Sequence, residues 1–147
     1  MNRPTRRTMI HAASIVPFTA VRGTAANSAV KVGLLGCGSR GTFLAETFVE
    51  YTQGKPIALC DPDPEAIART QSKIGPRTLT GYQSFAKMLA SPLDAVIIAT
   101  PVFLHPEHFE AAVQAGKHVY CEKPAAPDVA GAWALNALPR APPPIVT

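Results

Sequence analysis

Short apolar runs alternate along the chain with longer segments of helical periodicity. The runs have the aliphatic composition of buried parallel strands and occupy residues 30–35, 57–60, 95–99 and 118–121, with a weaker candidate at 77–79. The segments between them space their apolar residues three or four positions apart, which predicts helices over residues 40–51, 64–74, 84–90 and 106–115. This alternation predicts an α/β domain with a parallel sheet covered on both faces.

The predicted helix over 64–74 has clear start and stop signals. Asp63 is a capping residue, Pro64 suits the first helical position, and Glu65 places an acid in the first turn. Gly75 follows the last apolar position, where helices commonly end. The sequence therefore places one complete helix between two of the predicted strands.

A glycine-rich loop separates the first strand from the first helix. Gly36, Gly38 and Gly41 have the G-x-G-x-x-G spacing, with Ser39 and Arg40 inside the loop. The first glycine permits a tight turn, the second lets a pyrophosphate approach the backbone, and the third lets helix and strand pack closely. The N–H groups and dipole of the following helix favour an anion. The pattern predicts a dinucleotide site on a Rossmann-type, doubly wound parallel sheet.

The choice of cofactor depends on two charged residues. Asp61 lies 20 residues after Gly41, at the end of the second strand, where a carboxylate can accept hydrogen bonds from an adenosine ribose. Arg40 either steadies a phosphate or is a solvated residue at the start of the helix. An Arg40 that held a 2′-phosphate would indicate NADP, but Asp61 would repel that phosphate. The sequence therefore favours NAD, with NADP as the alternative.

Polar residues also follow the strand over 95–99. Thr100 and Pro101 turn the chain into a loop, and His105 precedes the next helix. His105 and His108 have a spacing that could suit a metal, but no cluster of Cys, Asp or Glu is placed to complete such a site. We expect no metal, and we expect His108 to be an exposed helix residue.

A third polar group, Glu122-Lys123-Pro124, follows the strand over 118–121. The carboxyl ends of parallel strands meet at one edge of the sheet, so this group belongs to the same edge as the glycine loop. On chemistry alone Glu122 and Lys123 are either part of a site or a surface salt pair before a turn.

Composition and charge narrow the class of protein. Hydrophobic residues make up 47% of the 147 residues and charged residues 16%, which suits one globular domain. The net charge of +4 comes entirely from residues 1–29, because the rest of the chain balances its acids and bases. A nucleic-acid-binding surface on the domain is therefore not expected. Cys37, Cys60 and Cys121 form no CxxC pair, and we interpret them as small buried hydrophobes near strand ends.

Residues 1–29 have the features of an export leader. Arg6 and Arg7 precede a weakly apolar stretch and then small residues around Thr24 and Ala26. The paired arginines resemble a twin-arginine signal, and the apolar stretch is far shorter than the ~20 residues of a membrane span. We expect export to the periplasm, or a cytoplasmic protein if this segment is an uncleaved basic tail.

The motifs taken together resemble the N-terminal domain of the glucose-fructose oxidoreductase and inositol dehydrogenase (Gfo/Idh/MocA) family. The resemblance rests on "VGLLGCGSRG", "CDPDPE" and "DAVIIATPVFLHPEHFEAAVQAGKHVYCEKPAA" and covers roughly residues 30–131. It implies hydride transfer between a sugar or polyol hydroxyl carbon and NAD(P). The retained Glu-Lys-Pro motif favours dehydrogenase chemistry over that of a nucleotide-dependent glycosidase branch of the family.

The resemblance also implies roles for individual residues. The glycine loop would hold the pyrophosphate, and Asp61 would bind the adenosine ribose. Lys123 would be the catalytic residue, facing the reacting carbon and assisting proton transfer. The remaining matched positions would line the cofactor cleft or lie near the nicotinamide ribose, with Pro124 often cis: Thr100, Pro101, His105, Glu122.

The end of the sequence departs from the family pattern. A plausible helix over 127–138 is followed by prolines that no helix can continue: Pro139, Pro142, Pro143, Pro144. We expect a dinucleotide-binding domain over 30–126 and an aberrant tail over 127–147, without the family's second domain. The chain is then part of an oxidoreductase, a stand-alone nucleotide-binding module or a non-functional remnant. Its substrate and oligomeric state stay open.

Overall fold

The computed structural model describes residues 29–52, 54–75 and 79–138. Residues 1–28 of the expected leader and the prolines from Pro139 onward lie outside this part. Within the described residues, five strands alternate with five helices and one 3₁₀ turn. In chain order they are β1 (Lys31–Leu35), α1 (Ser39–Tyr51), β2 (Lys55–Cys60), α2 (Pro64–Ile74), β3 (Thr80–Tyr82), α3 (Phe85–Leu89), β4 (Ala95–Ile98), the 3₁₀ turn (Val102–Leu104), α4 (His105–Gln114), β5 (His118–Cys121) and α5 (Val129–Asn136).

The five strands form one parallel sheet in the order β3-β2-β1-β4-β5. This order confirms the predicted Rossmann-type doubly wound fold. The chain runs outward from β1 in one direction and then crosses over to β4, so the strand order reverses between β1 and β4. Leu35 pairs with both Cys60 and Ile98, and Ile98 pairs with Cys121. Four strands therefore end at one level, and the loops that follow them share one edge of the sheet.

Strand residues alternate between two apolar clusters on opposite faces of the sheet. Ile97 packs into the cluster that holds residues of α1 and α2, whereas its neighbours Val96 and Ile98 pack into the cluster that holds Met88 of α3 and Phe109 of α4. Burial on both faces explains why the central strands β1 and β4 are almost wholly apolar. Both layers of helices are needed to complete the core.

The ends of the helices follow the sequence closely. Asp63 caps α2, since its Oδ1 accepts a hydrogen bond of 2.9 Å from the backbone N–H of Glu65, and Gly75 ends α2 with a φ of 93°. Asp128 caps α5 in the same way by accepting from Gly131 N–H at 2.7 Å. The expected helix over 127–138 is therefore shorter, because capping fixes its first turn after Asp128.

The weaker strand candidate at 77–79 lies mostly outside the described residues. Residues 77 and 78 lie outside the described part, and Leu79 is buried in the core cluster beside α2 without being in a strand. The third strand is formed instead by Thr80–Tyr82, which pairs in parallel with the last three residues of β2. Its residues include Gly81 and carry little apolar periodicity, so pairing with β2 decided its position. None of the helices in the described residues is long and apolar enough to cross a membrane.

Candidate cofactor-binding site

The three glycines after β1 have different structural roles. Gly36 has a φ of +94°, and a Cβ there would lie 2.7 Å from the carbonyl oxygen of Ala99. A Cβ at Gly41 would overlap the carbonyl oxygen of Gly36. A Cβ at Gly38 would meet nothing within 4 Å. Gly36 and Gly41 are thus required by the fold, whereas Gly38 leaves open space beside the loop, as close approach of a phosphate requires.

The N-terminus of α1 opens onto this space. Gly38 is the N-cap residue, and its carbonyl accepts a 2.9 Å hydrogen bond from Thr42 N–H. No side chain caps the first turn of α1. The first N–H groups of a helix have no partner within the helix, so those of α1 remain available to an anion.

Asp61 lies directly beside the glycine loop. Its Oδ2 accepts a 2.8 Å hydrogen bond from Cys37 N–H, and its Oδ1 accepts a 2.9 Å hydrogen bond from Asp63 N–H. A carboxylate offers about four acceptor positions, so two remain for a ligand. The structure places Asp61 where the sequence predicted it, and also shows that it organises the loop.

A cavity of about 660 Å³ lies over the ends of β1, β2 and β4. Its size suits a nucleotide. Seven residues singled out from the sequence line it: Gly36, Gly38, Ser39, Arg40, Asp61, Thr100 and Pro101. The other four expected site residues, Gly41, His105, Glu122 and Lys123, are not among the lining residues.

The cavity wall contains residues that the sequence interpretation missed. Gln83 and Phe85 come from the β3–α3 connection, and the Gln83 side chain donates to the Pro62 carbonyl at 3.2 Å. Leu104 and His108 lie four positions apart on the other wall. That spacing puts both side chains on one helix face, a signal that was present in the sequence.

His108 is not the exposed helix residue that we expected. It is half-buried, its Nδ1 lies 3.0 Å from Thr100 Oγ1, and its ring meets Phe85 edge-on with centroids 5.1 Å apart. Burial lowers the pKa of His108 below its usual 6.5, the nearby Glu107 carboxylate opposes this, and His105 adds to it. The ring is therefore neutral at neutral pH.

His105 lies beneath the cleft rather than in its wall. The side chain is buried, with 2% of the residue exposed. Its Nε2 lies 2.8 Å from the Thr100 carbonyl oxygen and its Nδ1 lies 2.8 Å from the Pro124 carbonyl oxygen. The expectation that His105 lines the cleft is corrected, because both ring nitrogens bind backbone that continues from β4 and β5. Its placement joins the two loops that carry Thr100 and Lys123.

Arg40 forms an ion pair with Glu122. The sequence had suggested either a phosphate ligand or a solvated residue at the start of the helix. Its Nη2 lies 2.9 Å from Glu122 Oε2, and its guanidinium lies 5.3 Å from the centre of the Phe43 ring. The hydrogen bond from Arg40 holds the pKa of Glu122 below its usual range, against the opposing effect of burial. The partner of Glu122 is thus Arg40, at the start of α1.

Lys123 and Pro124 follow this ion pair. The Lys123–Pro124 peptide bond is cis, which confirms the expectation from the resemblance. Lys123 is exposed, next in sequence to the buried Glu122. The position of its backbone is fixed from both sides, by Glu122 N–H bonding to the Ile98 carbonyl at 2.9 Å and by the contact of Pro124 with His105.

The cysteines show no sign of reactivity. All three thiols are free, with Cys37 and Cys60 buried and Cys121 half-buried. Burial raises the pKa of Cys37 to about 12 and those of Cys60 and Cys121 to about 11. Thiolate formation is thereby disfavoured. Among residues 29–52, 54–75 and 79–138, no group of three or more His, Cys, Asp and Glu side chains is placed to hold a metal ion.

A parallel sheet with a glycine loop, a free helix N-terminus and a carboxylate at its switch point defines a dinucleotide-binding Rossmann domain. The family model for oxidoreductases with an NAD-binding Rossmann fold (GFO_IDH_MocA) matches residues 30–141. The chain belongs to this Gfo/Idh/MocA family and carries its NAD-binding domain.

Similar proteins differ in their named activities. A glycosyl hydrolase family 109 protein of Shewanella amazonensis is 33% identical over 114 residues, which cover 72% of this chain and 25% of that protein. Inositol 2-dehydrogenase 3 of Saccharopolyspora erythraea is 35% identical over 102 residues, which cover 68% and 29% respectively. The chain thus spans little more than a quarter of the curated relatives it matches.

Among solved structures, scyllo-inositol dehydrogenase from Lactobacillus casei with bound NAD(H) and scyllo-inositol superposes with a TM-score of 0.64 at 26% identity. The match covers 74% of this chain and 34% of that one. Fold and cofactor class therefore agree between a solved holoenzyme and the site described above.

Proposed function

We propose that this chain is the cofactor-binding part of an oxidoreductase that transfers hydride between NAD and a hydroxyl carbon of a sugar or polyol. The observation that carries the proposal is the shared edge of the sheet, where the glycine loop, Asp61 and the loop bearing Lys123 follow strands that end at one level. The inositol dehydrogenases among its relatives support the class of substrate.

The chain's own residues fit a dinucleotide. The uncapped N–H groups of α1 would bind the pyrophosphate, with Gly38 leaving room for it. The unused acceptor positions of Asp61 would bind the adenosine ribose. Thr100 and Pro101 would line the cleft further along the cavity. The cofactor, when bound, supplies the hydride acceptor or donor.

Lys123 is our candidate for the catalytic acid–base residue. Its ammonium could donate a hydrogen bond to the substrate oxygen and pass a proton to or from it. The Ile98, His105 and Arg40–Glu122 contacts hold the loop from which Lys123 projects. These contacts orient the backbone, while the exposed side chain stays free to meet a substrate.

Titration of the full chain with NAD and with NADP tests the first half of the proposal. We expect tighter binding of NAD, because Asp61 repels a 2′-phosphate. A clear preference for NADP would overturn the role given to Asp61 and favour Arg40 as a phosphate ligand. The Gly38→Ala variant is the control for specific binding, because the added methyl meets no protein atom.

Turnover tests the second half. We expect the 147-residue chain to bind NAD but to show no measurable oxidation of polyols or aldoses by nicotinamide absorbance. Hydride transfer needs the reacting carbons held about 3–3.5 Å apart, and the Lys123 side chain is exposed. Binding without turnover is also what a stand-alone nucleotide-binding module would give. Robust turnover lost in Lys123→Ala would instead establish a complete catalyst.

Glycoside hydrolysis is the second candidate activity. The family 109 glycosyl hydrolases among the relatives favour it, whereas the Glu122-Lys123-Pro124 motif favours a dehydrogenase. Aryl glycosides assayed with and without added NAD separate the two. Release of the aryl group that depends on NAD would support the hydrolase and contradict the dehydrogenase.

We also propose that the protein is exported through the twin-arginine route. The support is the Arg6-Arg7 pair ahead of a short apolar stretch. Replacing both arginines with lysine should retain the protein in the cytoplasm on fractionation. A double variant that still reaches the periplasm would contradict the twin-arginine interpretation.

A further inference from the structure

His105 makes an unusual pair of contacts for a histidine. Both ring nitrogens lie 2.8 Å from backbone carbonyl oxygens, Nε2 from that of Thr100 and Nδ1 from that of Pro124. The side chain is buried, so water does not take the place of either partner. The carbonyls belong to the two loops that leave β4 and β5.

The chemistry of imidazole limits how both contacts can form together. A neutral ring has one N–H donor and one lone pair, whereas a protonated ring has two N–H donors. A carbonyl oxygen only accepts hydrogen bonds, so a lone pair at 2.8 Å from it would be repelled. Rotating the ring does not help, because both ends face oxygen. Only the doubly protonated ring satisfies both carbonyls.

Charged groups around His105 belong to several elements. The ionisable residues on α4, on β5 and its following loop, and at the start of α5 are Glu107, His108, Glu110, His118, Tyr120, Cys121, Glu122, Lys123 and Asp128. β4 and the 3₁₀ turn contribute none. No carboxylate of the described residues lies within ion-pair distance of His105, so the two carbonyl dipoles are its direct partners.

We propose that His105 is a doubly protonated positioning residue that ties the loop of Thr100 to the loop of Lys123. Loss of one ring proton turns one of these hydrogen bonds into a repulsive contact between a nitrogen lone pair and a carbonyl oxygen. The loop that carries this carbonyl then separates from His105. The order of the Lys123 loop is therefore coupled to pH and is lost as the pH rises. The link to catalysis rests on the proposed function, but the tie itself does not.

Nitrogen-15 NMR of the full chain without cofactor tests the protonation state. The ring signals of His105 are assigned by elimination, using the single variants His11→Gln, His108→Gln and His118→Gln. At neutral pH we expect both ring nitrogens of His105 to carry protons, in contrast to the neutral ring of His108. A His105 ring with one bare nitrogen at neutral pH would overturn the proposal, whatever the outcome of the cofactor titrations.

Amide exchange tests the positioning role. In the wild type, exchange at Glu122 and Lys123 should rise with pH more steeply than in the β1–β2 core, because the tie opens. His105→Phe keeps a ring but donates to neither carbonyl, so exchange there should be fast and the extra pH dependence absent. His118→Gln is the matched control and should behave like the wild type. Equal pH dependence in the wild type and His105→Phe would contradict the proposal. If His105→Phe does not fold, the wild-type ring signals decide.

Discussion

The two sides of the cavity are held together by different kinds of contact. On the glycine-loop side (residues 36–42 and 61), backbone N–H groups bind the Asp61 carboxylate and backbone carbonyls. On the β4–β5 side (residues 99–108 and 121–124), the buried His105 ring joins two loops. The Arg40–Glu122 ion pair crosses from one side to the other.

Because of this difference, we expect the glycine-loop side to keep one conformation and the β4–β5 side to change with pH. Contacts of the glycine-loop side are local to one strand–loop–helix unit and its neighbouring strand, and most of their groups do not titrate near neutrality. The β4–β5 side depends on the His105 ring, which we propose is doubly protonated and which loses one of its two loop contacts when a ring proton leaves. We therefore expect cofactor anchoring to be nearly independent of pH near neutrality, and the placement of Lys123 to vary with it.

The largest effect should come from the glycine loop. Gly36→Ala forces a side chain into a φ of +94° and toward the Ala99 carbonyl, so we expect a loss of about 3 kcal/mol in the free energy of unfolding. Gly38→Ala should cost at most about 1 kcal/mol, but should weaken NAD binding ~10-fold or more. Urea denaturation and calorimetry measure the two effects. If both variants lost stability equally, the distinction between the two glycines would be wrong.

The next largest effect on stability should come from the buried Thr70 hydroxyl, which lies beneath the glycine loop. Thr70 is fully buried, lies 2.7 Å from Thr42 Oγ1 and donates to the Cys37 carbonyl at 3.1 Å. Thr70→Val keeps the shape but removes the donor, and should lower stability by about 1–2 kcal/mol. Thr47→Val on α1 is the control, with little expected change, because its hydroxyl makes only a local, solvent-exposed hydrogen bond to the Phe43 carbonyl. A Thr70→Val protein as stable as the control would show that the loop does not depend on α2.

Asp61 provides a test of cofactor choice with a smaller expected effect. Asp61→Asn removes the negative charge and sets an amide N–H₂ against a backbone N–H, so the preference for NAD over NADP should fall by about tenfold. Asp63→Asn changes a neighbouring carboxylate that caps α2 and should leave the preference unaltered. Equal shifts in both variants would mean that general charge, and not the position of Asp61, sets the preference.

The smallest expected effect concerns the Arg40–Glu122 ion pair, which links the two sides of the cavity. Arg40 holds the pKa of Glu122 below its usual 4.5, so the ion pair stabilises the folded state above that pH and this contribution is lost as the pH falls through the lowered value. Arg40→Ala should therefore narrow the difference in melting temperature between neutral and acidic solution by a degree or so. Arg69→Ala, on an exposed ion pair of α2, is the control. If the melting temperature of Arg40→Ala depended on pH as that of the wild type does, Arg40 would not be the cause of the lowered pKa of Glu122.

Local sequence determined four of the five strands, most helix ends and the glycine-loop side. Gly36, Gly38 and Gly41 act through backbone conformation and close approach, which are properties of a few adjacent residues. Asp63 caps a helix that begins at the next residue, and Asp61 reaches a loop one strand away. Such features depend on periodicity and on short separations along the chain, so they can be inferred without knowing the fold.

Tertiary structure alone decided the partners on the β4–β5 side. Arg40 and Glu122 are 82 positions apart, and His105 and Pro124 are 19 apart. His108 lines the cavity because its ring packs against Phe85 of α3, and β3 forms where β2 offers a free edge rather than where the sequence is most apolar. These contacts follow from the order of strands in the sheet. A single sequence specifies which residues can donate, accept or carry charge, but packing decides which of them meet.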